Sequence, residues 1–329
     1  MRHIVFTAFC GFLIAAEGAE RTLPIRNAAS PQAQQELATV VRTILELPSL
    51  TVDTEAHQMT FGGTDSQIAA AEWLLAETDR PVAASGARPW ASAVYRGPAI
   101  PGEVLRVFYV QGGTPIPHLQ EAATVIRSII ELRRLFTYNQ AGAIVARGSP
   151  EQLEAAEWVW RTLAADPPFA GIEEFRAKFP DGQPVLRAYR FPGEWSVQSL
   201  QEAATMIRSI VEIHRMYTYN TSRTVLVRGD DAAIAAATWM AVEAQRPSSP
   251  ELAESAPFEM ADPRGEGIIR VFRLPATRFD VRQLQKLATD IRTATNIRRV
   301  FTFNAPRMIV LRGLSGQLET ARQMIADAR

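Results

Sequence analysis

The sequence predicts an α+β fold of four tandem βαββα modules, joined by Pro/Gly-rich linkers into a bead-like array, and three observations predict it. The segment from Leu119, LQEAATVIRSIIELRRLFTYN, returns at Leu200 as LQEAATMIRSIVEIHRMYTYN. A third copy, LQKLATDIRTATNIRRVFTFN, starts at Leu284, and a more diverged one, QQELATVVRTILELPSLTVDT, at Gln34. Two landmarks then fix the alignment: Arg42, Arg127, Arg208 and Arg292 are each followed, 21 residues later, by Gly63, Gly148, Gly229 and Gly313. Self-similarity at fixed spacing is the mark of a repeat architecture.

Each copy reads the same way. In the second, VLRVFYV from Val104 is a strand, and Leu119, Ala123, Ile126 and Ile130 recur at helical spacing. Leu135 to Asn139 alternates like a half-buried strand and ends in a turn-forming asparagine, with Ala143 to Arg147 as its hairpin partner. Gly148 stops that strand. Ser149 is placed to cap a second helix that Pro150 opens. The organisation that follows is a signal peptide at 1–19, modules at 20–80, 104–165, 184–245 and 267–329, and linkers at 81–103, 166–183 and 246–266. Those linkers are rich in Pro, Gly, Ala and Ser and long enough to let modules rotate.

Apolar content of 47% in 329 residues supports real cores. Thirty-five basic residues balance 35 acidic ones, so no net field draws the molecule to nucleic acid or an anionic membrane. Arg2 and His3 precede a mostly apolar run from Ile4 to Ala16, with Ala16-Glu17-Gly18 as the best cleavage position. That run is too short for a membrane span, which needs about 20 apolar residues. The expectation is therefore a periplasmic or secreted chain, not an integral membrane protein once the signal is removed. Cys10 is the only cysteine, so the mature chain would carry no disulfide and no thiolate metal site.

Chemistry has few candidates. His57, His118 and His214 share no spacing that suits a metal or a catalytic triad, and no HExxH, GxSxG or GxxxxGK motif occurs. The expectation is no enzyme, no cofactor and no metal. Paired aromatics two apart (Phe136 and Tyr138, Tyr217 and Tyr219, Phe301 and Phe303) read as core. The alternative is base stacking, but the first copy has Leu50 and Val52 there, which cannot stack, so nucleic acid is not expected.

Three residue sets are candidate interface. Arg42, Arg127, Arg208 and Arg292 are followed four residues later by Glu46, Glu131, Glu212 and Asn296, which reads as a solvated helix pair or as a contact with a neighbouring module. Arg147, Arg228 and Arg312, just before the landmark glycine, carry the same two readings, and Gly62 replaces them in the first copy. Trp73, Trp158 and Trp239 lie ten residues after that glycine, on the helix face away from their own core, whereas the last copy has Gln323. Terminal repeats exchange an apolar contact face for a polar one. Each tryptophan is thus expected against the following linker or module, with Trp90, Phe169, Phe175 and Phe258 as partners.

The hairpin and second helix, RRLFTYNQAGAIVARGSPEQLEAAEWVWRTL from Arg133, resemble the short periplasmic N-domain of bacterial secretins, the NolW-like module. The resemblance implies a ring-building unit that packs against copies of itself or against protein partners in the periplasm or at the outer membrane. The sequence stops at Arg329, directly after the fourth module, without the long β-domain of a secretin gate, so the expected role is an accessory to a secretion or pilus system. A homo-oligomer stays open. So does a second class of function, a periplasmic binding module for cell-wall glycan or a small ligand.

Overall fold

The computed structural model describes residues 19–80, 92–110, 114–165 and 171–328. The signal segment lies outside them apart from Ala19, as do Trp90 and Phe169. Module 1 runs β1 (Ala19–Pro24), α1 (Pro31–Leu45), β2 (Ser49–Asp53), β3 (Gln58–Gly63) and α2 (Asp65–Thr78). Module 2 is preceded by β4 (Ser92–Tyr95) and runs β5 (Val104–Tyr109), α3 (Ile116–Ile130), β6 (Arg134–Tyr138), β7 (Ala143–Gly148) and α4 (Pro150–Ala164). Module 3 follows with β8 (Ile172–Arg176), β9 (Val185–Arg190), α5 (Val197–Val211), β10 (Arg215–Tyr219), β11 (Thr224–Gly229) and α6 (Asp231–Gln245). Module 4 has β12 (Ala253–Glu254), β13 (Phe258–Glu259), β14 (Ile268–Arg273), α7 (Val281–Thr295), β15 (Arg299–Phe303), β16 (Met308–Gly313) and α8 (Ser315–Asp327).

Local chemistry sets these boundaries. Ser149 caps α4 through the Gln152 amide while the Gln152 side chain returns to the Ser149 N–H, a capping box that Thr64 and Gln67 repeat on α2. The landmark glycine ends its strand beneath that box. A Cβ at Gly148 would stand 2.6 Å from Leu132 Cδ2 and 3.0 Å from Gln152 Oε1.

Every sheet is antiparallel, in the orders β1-β3-β2, β4-β5-β7-β6, β8-β9-β11-β10 and β12-β14-β16-β15, with β13 also on β14. The segments expected as linkers therefore supply strands: β4, β8, β12 and β13 extend the sheets of modules 2, 3 and 4 at one edge. Their short length and their Pro, Gly and Ser neighbours hid them from a periodicity reading.

The modules are stacked, not strung as beads. Each sheet has its own two helices on one face, and in modules 2, 3 and 4 the first helix of the preceding module covers the other: α1 lies on β6 and β7, α3 on β10 and β11, and α5 on β15 and β16. One core thus combines module 1 with Leu105, Val107, Tyr109, Tyr138 and Val145 from the far face of the next sheet. The following two cores repeat the arrangement. This is why β5, β11 and β16 are buried along their whole length, while β3, with no module before it among the described residues, alternates. The aromatic pairs are placed by the same logic. Tyr138, Tyr219 and Phe303 are buried, but against the helices of the module before, not in their own core.

Candidate functional site: the junctions between modules

Three junctions use one set of contacts. Near the start of the first helix, Glu36 Oε1 accepts from the Asn139 backbone N–H at 3.0 Å and from Asn139 Nδ2 at 2.8 Å. Glu121 does the same with Asn220, at 2.8 and 2.9 Å, and Glu202 with Asn304. The asparagine that ends each hairpin strand is thereby a receptor for the helix of the preceding module. Charge-assisted bonds of this kind are the stronger class of hydrogen bond.

At the other end of that helix the C-cap residue is a glutamate in left-handed backbone: Glu46, Glu131 and Glu212 have φ of 53°, 61° and 63°. A side chain with a Cβ pays roughly 1–2 kcal/mol for that conformation, which glycine or asparagine adopts more readily. The carboxylate shows what the glutamate is for. Glu131 receives Arg215 at 2.7 Å and Arg228 at 2.8 Å, both from module 3. Glu46 receives Arg134 at 2.5 Å with Arg147 at 3.6 Å, and Glu212 receives Arg299 at 2.5 Å with Arg312 at 3.6 Å. An acid of the receiving module completes each cluster: Glu103 on Arg147, Asp181 on Arg228, Asp262 on Arg312. Arg228 is 1% exposed and Arg312 is 3% exposed, and Arg228 also lies 4.2 Å over the Phe179 ring. Arg147 and Arg312 reach back further, donating to the Ile44 and Ile210 carbonyls at the ends of α1 and α5.

The arginines hold the three carboxyls below their usual range. For Glu46 the hydrogen bond from Arg134 is the largest influence. For Glu131 and Glu212 burial pulls upward first, and the paired arginines outweigh it.

The helix arginines work elsewhere. Arg42, Arg127, Arg208 and Arg292 each donate Nη2 to a strand carbonyl of their own module, on Leu50, Leu135, Met216 and Val300. They tie the first helix to its hairpin and do not pair with the glutamate four residues on. That glutamate has left the helix at the cap, which turns its carboxylate to the next module.

The second helices add a side contact. Trp73 meets Tyr95 at 5.4 Å between ring centroids, Trp158 stacks on Phe175 at 5.7 Å, and Trp239 meets Phe258 at 5.4 Å. All three tryptophans are half-buried, and Gln323 is exposed. Tyr95 went unnamed in the sequence reading because β4 looked like linker. Beside these rings Tyr109 Oη donates to Glu77 Oε2 at 2.7 Å, and at the last junction Arg273 and Glu243 form a buried ion pair at 2.6 Å.

Both terminal faces drop the set. On α7 the positions of Glu202, Met206, Ile210 and Glu212 hold Lys286, Asp290, Ala294 and Asn296, all exposed. Asn296 keeps φ at 56°, so where no arginine pair has to be met the cap reverts to a residue suited to it. On the first sheet the positions of Arg134, Phe136, Tyr138 and Arg147 hold Ser49, Thr51, Asp53 and Gly62, and those of Leu105 and Val107 hold Glu20 and Thr22. Polar outer faces on end repeats are what a stacked array needs for solubility.

No family model matches the chain, and no curated protein matches it. Among solved structures, a protein of unknown function from Aeropyrum pernix aligns at 14% identity and TM-score 0.22, over 45% of this chain and 84% of that one. Aeromonas hydrophila ExeD aligns at 12% identity and TM-score 0.16, over 68% of this chain and 40% of its own. The secretin in the enterotoxigenic E. coli pilotin–secretin complex AspS–GspD aligns at 11% identity and TM-score 0.17, over 70% and 38%. This chain thus spans about two fifths of the length of either of these last two proteins. Among the described residues no helix is long and apolar enough to cross a membrane.

Proposed function

We propose that the chain is an exported, non-catalytic interaction scaffold of fixed length, serving a secretion or pilus system in the periplasm or at the outer membrane. The observation that carries this reading is the exchange of every docking residue at both terminal faces. The repeating interface is used up inside the stack, which leaves the flanks, where the sheet edges lie, as the surface for partners. The NolW-like hairpin motif and the apolar N-terminal run support the cellular setting.

The test is photo-crosslinking in the native bacterial host from flank positions Val94 and Ile172, both exposed. The expected result is a discrete adduct with an envelope protein of such a system, on a mature chain starting between Glu17 and Arg21. A cytoplasmic chain starting at Met1, or no adduct from either site, contradicts the proposal.

One observation favours the second reading, a glycan-binding module. An open cleft of about 530 Å³ at the boundary of modules 3 and 4 is lined by Trp195, Pro306, Glu194, Ser199 and Arg246, an aromatic ring and polar groups of the kind a sugar uses. Quenching of tryptophan fluorescence by cell-wall muropeptides, lost in Trp195→Ala, would move the assignment to that reading.

A further inference from the structure

The first strand of each hairpin, β2, β6, β10 or β15, closes one end of its sheet among the described residues. One hydrogen bond fixes which of its backbone groups point outward. The Val110 N–H, just past β5, donates to the Gly142 carbonyl at 2.8 Å, so the Ala143 N–H, on the far side of the same peptide, faces β6. Tyr138 and Ala143 are therefore a hydrogen-bonded pair, and antiparallel alternation turns the N–H and C=O of Leu135 and Thr137 away from the sheet. The same bond recurs from Ile25 to His57, from Phe191 to Arg223 and from Leu274 to Arg307. The outward residues of the other edges are thus Leu50 and Val52, Met216 and Thr218, and Val300 and Thr302.

The carbonyls that the helix arginines bind are these outward ones. Arg42, Arg127, Arg208 and Arg292 donate to Leu50, Leu135, Met216 and Val300 at 2.5 to 2.9 Å. Arg127 starts from α3 on one face of the sheet, yet its guanidinium carbon lies 6.0 Å from the centroid of Phe136, which packs with the α1 core on the other face. The side chain therefore wraps the edge. All four arginines are exposed. Arg42 and Arg292 keep the contact although the two terminal faces exchange the Glu, Asn and Arg of the junctions, so stacking does not account for it.

We propose that these arginines guard the hairpin edge, and that what they exclude is a second copy of this chain. Each bonds a carbonyl that an added antiparallel strand would use, and each sets a positive charge where the like charge of another copy would come. Four equivalent edges on one stack call for a guard in every module, because two copies side by side would pair several edges at once. The proposal is independent of the scaffold reading.

The test is sedimentation of the full chain from about 1 to 200 μM, the parent against a fourfold variant with Arg42→Met, Arg127→Met, Arg208→Met and Arg292→Met. The parent should stay a monomer. The variant should keep its thermal transition and form a dimer, with exchange at the Leu135, Thr137, Met216 and Thr218 amides slowed about tenfold. Adding Thr137→Pro and Thr218→Pro, which removes two outward N–H groups and leaves the ladder intact, should restore the monomer. The single variants Arg42→Met and Arg292→Met carry the test if the fourfold chain does not fold, and each should show slowed exchange at its own edge at the highest concentration. Edge amides already protected in the parent, or a dimer that the prolines do not reverse, would overturn the proposal. Folded variants that lose stability and stay monomeric would also overturn it, and would leave the arginines as ties between helix and hairpin.

Discussion

Glu131 and Arg228 meet across a module boundary at 2.8 Å, the glutamate in left-handed backbone at the end of α3 and the arginine 1% exposed on β11. The backbone cost at Glu131 is local, whereas what offsets it lies in another module. Substituting Glu131→Gln leaves Arg228 to Asp181 alone and should cost about 1–3 kcal/mol, the usual range when a buried charged donor loses a partner. Chemical denaturation should show the loss, and hydrogen exchange should place it on α3 and β10.

The converse substitution is Asn296→Glu. With no arginine pair beyond it among the described residues, the glutamate keeps the conformational cost and gains nothing, so the variant should lose roughly 1 kcal/mol. Glu212→Asn should improve its cap and still destabilise the chain, because Arg299 and Arg312 lose a carboxylate. Unchanged stability in Glu212→Asn would mean that the junction contributes nothing.

Much of this was legible beforehand. The 21-residue spacing, the hairpin, the caps and the polar face at Gln323 all follow from residues that repeat for local reasons. The junctions were not, because Arg127 and Glu131 have the spacing of an ordinary helix pair and a positive φ leaves no mark on spacing. The one available signal was the fourth copy, where Asn296 replaces the glutamate together with Lys286 and Asp290.

Acid should loosen the junctions. The folded-state pKa values of Glu46, Glu131 and Glu212 lie below the ordinary 4.5, so their contribution is fully present above that value and is lost as pH falls through the lowered folded values. Denaturation midpoints at pH 7, 4.5 and 3 should fall at the acid end, and the triple Glu→Gln variant should show a flatter profile than the parent.

Tyr138→Ala removes a fully buried ring from the first junction. It should cost about 3 kcal/mol or more, as large-to-small changes in a packed core do. Because Tyr138 packs with α1, exchange should rise in module 1 as well as in its own sheet. A loss confined to module 2 would mean the two do not share a core.

The central claim is that the Glu–Asn and Glu–Arg contacts make one rigid stack of four modules. Spin labels at Thr124→Cys and Thr289→Cys, equivalent exposed positions on α3 and α7, span two junctions, and the electron–electron distance distribution between them tests it most directly. A single narrow distribution is predicted, broadening when Glu121 and Glu131 are replaced by alanine. A broad distribution in the parent chain, unchanged by those replacements, would mean that the modules move as beads on linkers, and would contradict it.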